Sequence, residues 1–454
     1  MKSQHHVTLR AALLVALCGS AAGSIAAVSA EEASKLKSEL MPLGGERAGN
    51  KDGSIPNWEG GYTGSHGGPR VDPFKDDKPL FSINAKNMAQ YDAKLTDGLK
   101  ALLKKYPDTF RLDVFKTRRT AAAPQWIYDN TLKNATRGKL ENSILVGAFG
   151  GVPFPIPKTG EEVIWNHQVR WRGVATRSNP VNYQITADGR AVKLSDIQID
   201  YQYPYYYQEM TPDQFYGPNA GAHTEARLLT TAPAIRAGDA FAGHLNVDPT
   251  KDEAWLYLTG QRRVRKLPNA CCDTPNPNAG GAITFDETET FTGRIDRFDW
   301  KLLGKQEMYV PYNNNRLNTA KADAELLGTH FVNPDFMRWE LHRVWVIEAT
   351  LKPGQRHQAP RSRYYCDEDS WHCVLGDRWD AKGQLWKMTW GGTVAVGELP
   401  GVLMPQFGFY DLLTGAAFIA GVNSTGAQLP PYEIRKRFPE THFTSDALAG
   451  EGVR

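Results

Sequence analysis

A repeat of two residues in the side-chain pattern predicts a β-hairpin over residues 254–268. Trp255 and Tyr257 fall on one face of its first strand, and Leu256 and Leu258 fall on the other. A Gly-Gln pair then separates this strand from a basic second strand, which is typical of a hairpin turn. Because both faces of the first strand are apolar, we expect it to lie inside a larger sheet and to be covered.

The same two-residue period continues through most of the C-terminal half of the chain. It predicts strands at 284–295, 297–311, 339–351, 361–367, 371–379, 384–390, 407–411 and 416–421. Strands that are short, consecutive and joined by turns predict an antiparallel meander.

In the N-terminal half, apolar residues recur every three or four positions, which predicts helices. These are expected at 84–106, after Pro124, at 161–171 and at 222–236, with one strand pair around Asp188-Gly189 between 181 and 199. The fold class predicted from both halves is α+β, with N-terminal helices and a large, mostly antiparallel sheet.

The chain divides into four predicted regions. Residues 1–30 combine Lys2 and Arg10, a short apolar core and a Val-Ser-Ala cleavage site, as a secretory signal peptide does. Cys18 leaves a lipid anchor as an alternative. Residues 31–80 form a Gly/Pro-rich arm, either ordered over the body or mobile. Residues 81–425 form one domain, and 426–454 a polar, loose tail.

Composition and charge exclude some classes of partner. The chain has 454 residues, 41% hydrophobic and 23% charged, which suffices for a sizeable core. Without the basic residues Lys2 and Arg10, 51 basic residues face 50 acidic ones, so nucleic acid is not expected as a partner. No later stretch offers about 18 uninterrupted apolar residues, so no transmembrane span is predicted.

Four cysteines remain after removal of the signal peptide, and an exported chain can form disulfides. Cys366 and Cys373 lie opposite each other in the predicted strand pair and form the expected disulfide. Cys271 and Cys272 are adjacent, so their bond would be strained, and free thiols are the alternative. A zinc site is not expected, because the spacing differs from the usual Cys-x2-Cys pattern.

The sequence carries no recognisable enzyme signature. The nucleophile elbow, the zinc-protease motif and the phosphate-binding loop are all missing. Glu287 and Glu289 share a face of a predicted strand, and His342 lies on another strand, but solvated or structural roles fit these residues better than catalysis. No catalytic residue, cofactor or metal is therefore predicted.

Several long motifs resemble one family of proteins, grouped as domain of unknown function 1329, over about residues 40 to 425. These motifs are 49–58 (GNKDGSIPNW), 71–74 (VDPF), 87–91 (NMAQY), 118–126 (RRTAAAPQW), 154–157 (FPIP), 260–265 (GQRRVR), 298–301 (FDWK), 312–316 (YNNNR), 338–345 (RWELHRVW) and 377–380 (DRWD). Family members look like outer-membrane lipoprotein-sorting proteins.

The resemblance implies a fold like the lipoprotein carriers LolA and LolB. In that fold an open, strongly curved antiparallel sheet, or half-barrel, has its concave face capped by helices. It also implies a periplasmic location and association with an outer-membrane β-barrel and a transporter of the resistance-nodulation-division (RND) type. It supplies no catalytic residue.

If the sheet is curved and open, large side chains on its concave face would bind a hydrophobic ligand. The candidates are Trp255, Tyr257, Trp300, Trp345 and Trp386, with Arg316 and Arg343 as candidates for a polar head group. The pattern does not show which face is concave, and helices could instead fill the concavity completely.

Three functions follow as hypotheses. The first is a non-enzymatic carrier or chaperone that moves a lipid-like molecule or a lipoprotein across the envelope. The second is an accessory subunit that docks on an outer-membrane barrel or transporter without holding a ligand. The third is a secreted hydrolase.

Overall fold

The computed structural model describes residues 28–65, 67–217, 221–267 and 271–451, so nearly all of the predicted signal peptide lies outside the described residues. The chain forms an α+β structure dominated by one sheet. The α-helices are α1 (Ala30–Ser34), α2 (Asp97–Lys105), α3 (Gln125–Arg137), α4 (Gly160–Gln168), α5 (Pro212–Phe215), α6 (Asp323–Leu326) and α7 (Ser445–Glu451). No helix among the described residues has the length and apolar character that crossing a bilayer requires.

The strands supply most of the regular structure. They are β1 (Phe81–Ile83), β2 (Leu112–Val114), β3 (Lys139–Glu141), β4 (Ile144–Val146), β5 (Ala175–Ser178), β6 (Val181–Ile185), β7 (Ala191–Gln202), β8 (Ala222–Ala232), β9 (Ala240–Asn246), β10 (Glu253–Leu258), β11 (Arg263–Lys266), β12 (Phe298–Pro311), β13 (Trp339–Leu351), β14 (Arg361–Asp367), β15 (Cys373–Trp379), β16 (Leu385–Val396), β17 (Gly401–Asp411), β18 (Ala417–Val422) and β19 (Tyr432–Arg435).

The main sheet is a long antiparallel run that stays open. Strands β12 to β18 pair in sequence, β18 pairs with β6, and β6 to β11 continue through β7, β8, β9 and β10. Twisted open sheets of more than about ten strands curl. This thirteen-strand run therefore wraps round, and the open antiparallel sheet expected from the sequence is confirmed.

The hairpin predicted within residues 254–268 is confirmed as β10 and β11. Trp255 pairs with Lys266 and Leu258 with Arg263, so the turn lies at residues 259–262. Strand β10 also pairs with β9, which places it inside the sheet, whereas the basic strand β11 is largely exposed.

The meander is buried on both faces. On β13, Val344 and Val346 pack in one core together with helix α2, whereas Ile347 and Ala349 pack in a second core with helix α4. Alternate side chains point to opposite faces of a strand, so these two cores lie on opposite sides of the sheet. Every residue of β15 is buried for this reason.

The helix predicted over 84–106 is interrupted. Residues Met88–Lys94 form a 3-10 helix, and α2 begins only after Thr96, whose hydroxyl accepts a hydrogen bond from the backbone N–H of Leu99 at 3.1 Å. A threonine at this position caps a new helix, because its oxygen satisfies a free backbone donor. The helices predicted near 125 and 161 are confirmed as α3 and α4.

Two predictions of secondary structure were wrong. Residues 222–232 of the helix predicted over 222–236 form strand β8 instead, because β7 and β9 pair with its two edges and this tertiary pairing outweighs the helical propensity of its alanines and leucines. Ala234–Arg236 form a 3-10 turn. Residues 284–295 do not form a strand. A 3-10 turn, Phe285–Glu287, begins there with a capping box between Thr284 and Glu287.

Both ends of the described chain pack against the body. The described residues of the arm at 31–80 are ordered, with Met41 and Ile55 at most 1% exposed. The region after 426, expected to be loose, adds strand β19 beside β5, and helix α7 buries Leu448 against β9 and β10.

Arg119 ties the arm to the sheet. Its guanidinium donates two hydrogen bonds to Asp369, at 2.8 and 2.6 Å, and a third to the carbonyl of Glu46 at 2.6 Å. The side chains of Arg119 and Asp369 are at most 2% exposed. Burying such a pair is tolerated because charge and hydrogen bonds are satisfied together.

We expect Asp369→Asn to lower the free energy of unfolding by about 3 kcal/mol, because it leaves the Arg119 guanidinium buried with a weaker partner, Glu368 at 3.5 Å. Urea denaturation measures this change. Arg190→Gln is the matched control, since Arg190 and Asp188 form an exposed pair and its loss should cost less than about 1 kcal/mol. Equal effects in the two variants would contradict the role given to Arg119.

Candidate functional site

A cavity of about 420 Å³ lies inside the curved sheet. Its wall is one face of β7 to β10 together with part of β17 and β18, and residues 271–294, called here the cover segment, close it from the other side. This volume falls within the roughly 300–1,000 Å³ of pockets that bind small molecules. The concavity is therefore partly filled and partly hollow.

Alternate residues of neighbouring strands make the wall apolar. Ile197 and Ile199 on β7 and Ala226 and Leu228 on β8 point into the cavity, as does Ala254 on β10. The spacing of two residues places each pair on one face of its strand. Further apolar side chains complete the lining: Phe241, Leu245, Leu267, Ala279, Ile283, Phe285, Met404, Phe407, Phe418 and Ala420.

One end of the cavity is charged. Arg172 lines the cavity beside Thr224, the first residue of the β8 row, and donates a hydrogen bond to Glu289 Oε2 at 2.6 Å. Arg170 donates to the same oxygen. The Arg172 guanidinium also lies 4.3 Å from the centre of the Tyr203 ring, in a cation–π contact.

These three charged groups are ionised at neutral pH. Burial alone would raise the pKa of Glu289, but Arg172 and Arg170 outweigh burial and hold it below its usual value. Burial and repulsion from Arg172 lower the pKa of Arg170 to about 10, which still leaves it protonated.

Buried ion pairs anchor the cover segment to the sheet. Asp286 accepts a hydrogen bond from His357 at 2.9 Å, and Lys387 lies 2.7 Å from Glu287. Burial would raise the pKa of Asp286, but Arg378 and His357 lower it to about 2. Glu287 and Glu289, considered as a carboxylate pair, therefore belong to two separate ion-pair clusters.

The five aromatic residues expected to line a cavity lie elsewhere. Trp255 and Tyr257 are on the face of β10 opposite Ala254, where Tyr257 packs with Leu448 of helix α7. The cavity is on the other face of this strand, and the sequence pattern could not distinguish the two faces.

The remaining three tryptophans take structural positions outside the cavity. Trp300 packs at 5.3 Å from Phe291 and donates its Nε1–H to the carbonyl of Ile295. Trp345 lies under the ammonium of Lys305, and Trp386 donates a hydrogen bond to Asp411 at 3.0 Å.

The two arginines expected at a head group make ion pairs away from the cavity. Arg316 lies 3.6 Å from Asp72 and stacks over Phe115. Arg343 lies 3.1 Å from Glu368 and also reaches the arm through Glu46.

Both possible cysteine pairs are joined in the structure. Cys366 and Cys373 face each other across β14 and β15, and both are fully buried. Cys271 and Cys272 are joined as neighbours, and Cys271 lines the cavity.

A second buried cluster surrounds His342. Its Nε2 lies 3.1 Å from Glu340 and its Nδ1 3.3 Å from Asp367, while Tyr312 stacks on the imidazole at 4.0 Å. Side-chain atoms of His342, Asp367 and Asp369 lie within 4.8 Å of one another, as metal ligands do. Asp369, however, binds Arg119 with both oxygens, and a protonated His342 serves the other carboxylates, so this arrangement favours an ion-pair network.

The sequence reasoning missed most of the cavity lining. The sequence pattern predicts a helix for the β8 residues and a strand for residues 284–294 of the cover segment. Arg170 and Arg172 follow helix α4 in an Arg-Trp-Arg triplet with no motif around it. The signal that could have located this site is the pair of arginines around Trp171 together with the tyrosine-rich stretch at 201–207.

The fold and the cavity define an open-sheet protein with an internal apolar pocket. The chain belongs to the family described as Protein of unknown function (DUF1329), whose model matches residues 82–449. It is 38% identical over 447 residues to Uncharacterized protein PA3922 of Pseudomonas aeruginosa, and the aligned region covers 95% of each chain.

Solved structures show weaker likenesses. A DUF1329 family protein from Desulfovibrio piger is 13% identical with a TM-score of 0.40, covering 61% of this chain and 92% of its own. A LolA superfamily protein from Nitrosomonas europaea is 12% identical with a TM-score of 0.36, covering 64% of this chain and all of its own. No functional assignment follows from likenesses of this size.

His342 gives a prediction for the pH dependence of stability. Burial would lower its pKa, but hydrogen bonds to Asp367 and Glu340 raise it to about 9, above the unfolded value of about 6.5. Protonated His342 therefore contributes its full stabilisation of the folded protein below pH 6.5. This contribution, about 3 kcal/mol, is lost as the pH rises through 9. Urea denaturation at intervals from pH 6.5 to 9.5 measures it.

His342→Gln is the matched variant for this experiment. Tyr312, which stacks on the imidazole, has a pKa raised well above 10 by burial and by Asp367, so it stays neutral in this range. The difference in stability between the wild type and His342→Gln should shrink as the pH rises. A difference that stays constant would show that His342 is neutral in the folded protein.

Proposed function

We propose that this protein is a non-enzymatic carrier that holds a lipid-like or other hydrophobic molecule in the cavity. The apolar rows of β7 and β8 carry the proposal, because they leave apolar side chains lining a hollow that no other part of the described chain fills. Burying a chain of ten methylenes there contributes roughly 8 kcal/mol, which leaves net affinity after the costs of association.

The size of the cavity limits the ligand. A volume of about 420 Å³ lies in the lower part of the range for small-molecule pockets, which favours one single-chain amphiphile. The predicted signal peptide supports a periplasmic location. We propose that the carrier exchanges its ligand with an outer-membrane barrel or an RND-type transporter.

Blocking the cavity tests this function. We expect Ala226→Trp to place an indole in the cavity between Thr224 and Leu228 of β8 and to weaken binding of the neutral probe N-phenyl-1-naphthylamine by at least about tenfold, because the indole occupies the space that the ligand needs. Fluorescence titration of the purified protein measures the affinity.

Val192→Trp is the matched control, because it introduces the same side chain on β7 at an exposed position. It should leave probe affinity unchanged within about twofold. Native mass spectrometry of protein purified from its own cells adds a second measurement. Absence of any co-purifying amphiphile, together with no probe binding by the wild type, would refute the carrier function.

A further inference from the structure

The charged end of the cavity carries an excess of positive charge. Arg170 and Arg172 share a single carboxylate oxygen, Oε2 of Glu289. Both arginine residues are at most 8% exposed. Two cations therefore face one anion in a buried site, where an uncompensated charge is costly.

Donor groups at this site are also left over. The Nε atoms of Arg170 and Arg172 are buried and have no hydrogen-bond partner among the described residues. A guanidinium offers five N–H donors, and buried donors are normally satisfied. Both the charge and the donors thus call for a further acceptor that carries negative charge.

Neighbouring titratable side chains do not supply the missing negative charge. Burial and the nearby arginines lower the pKa values of His167, His223 and His372, so these imidazoles are neutral. Burial raises the pKa values of Tyr201 and Tyr203, which are neutral as well.

The other carboxyl groups that line the cavity have partners of their own. Glu253 lies 2.6 Å from the ammonium of Lys266, and Asp252 accepts the backbone N–H of Asn246 at 2.7 Å. Arg294, which also lines the cavity, is paired with Asp296 through two hydrogen bonds. The excess charge is therefore confined to Arg170 and Arg172.

The apolar row starts at this charged end. Thr224 lies beside Arg172, and Ala226 and Leu228 follow on the same face of β8. At about 3.3 Å per residue, the row from Thr224 to Leu228 extends roughly 13 Å away from the guanidinium. A cation at one end of an apolar trough matches a molecule with one anionic end and one alkyl chain.

We infer that the ligand is a single-chain amphiphile with a carboxylate or phosphate monoester head, which Arg172 binds while the chain lies along β7 and β8. This inference rests on the carrier function proposed above and adds the chemistry of the head group. Arg172 is a head-group-binding residue, and Arg170 contributes charge from behind it.

The wild-type protein tests the inference directly. Dodecanoate, dodecyl phosphate and dodecan-1-ol share one chain length and are compared by displacement of N-phenyl-1-naphthylamine at pH 7. Hydrogen bonds to charged groups are strong enough for the two anions to bind at least about tenfold more tightly than the alcohol. Tighter binding of only one anion identifies the head group as carboxylate or as phosphate.

Variants assign the preference to Arg172. Arg172→Gln should weaken dodecanoate binding by about tenfold and change the affinity for the alcohol by less than about twofold. Arg172→Lys should restore part of the preference, since it keeps the charge but loses the planar donor array. Arg294→Gln is the matched control, because Arg294 lines the same cavity with its charge already paired.

If Arg172→Gln does not fold, a second variant tests the same inference. Glu289→Gln removes the competing carboxylate and should tighten dodecanoate binding, with a stronger dependence on salt. Equal affinity of the wild type for dodecanoate and dodecan-1-ol would overturn the head-group inference and leave the carrier function standing. Failure of the wild type to bind the probe or any of the three ligands would overturn the carrier function itself.

Discussion

Burial of paired charges is the constraint on which this structure depends. The sheet is long enough to curl, but its strands leave large surfaces that irregular segments must cover. The arm at 31–80 is held by Arg119 and Asp369, and the cover segment by Asp286 with Arg378 and His357. Such ion pairs hold an irregular segment in place although it makes no regular backbone hydrogen bonds with the sheet. Separating the two partners would leave a charge buried and uncompensated. Charge complementarity thus takes the place of regular secondary structure over these parts of the sheet.

The same constraint explains why the sheet is filled at one place and hollow at another. Where the cover segment passes β15 and β16, Arg378 and Lys387 meet its carboxylates, and Phe291 packs with Trp300 and Tyr364. Where it passes β7 to β9, the facing side chains are mainly apolar and carry no charge. The cover segment packs with Phe418 of β18 through Ala279 and Ile283, and the space between the segment and β7 to β9 is left open. Ion pairs hold the cover segment at Asp286, Glu287 and Glu289, and the cavity lies where the segment faces the uncharged side chains of β7 to β9.

Most of the meander could be predicted from the sequence, because burial of one or both faces of a strand produces a two-residue repeat of apolar side chains. Strands β13 and β14 begin and end at the predicted residues, and the hairpin at 254–268 has the expected turn. Strand β8 could not be predicted, since its edges are paired by β7 and β9 and its alanines and leucines favour a helix in isolation. The cavity residues were missed for a related reason. Trp255 and Ala254 lie on opposite faces of one strand, and nothing local states which face meets the hollow.

Arg172, which lines the cavity, and Arg170 behind it have fewer carboxylate partners than the cations of the neighbouring ion-pair cluster. Arg378 and Lys387 meet two carboxylates, Asp286 and Glu287, so that cluster closes on itself. Arg170 and Arg172 meet only Glu289, although a single arginine would satisfy that carboxylate. An additional buried cation lowers stability unless something neutralises it, so folding alone gives no reason to keep it. A ligand that supplies the missing negative charge would bind the folded chain and not the unfolded one, and would return the lost stability by mass action. The excess positive charge of Arg170 and Arg172 is therefore better explained by a bound ligand than by the architecture of the sheet.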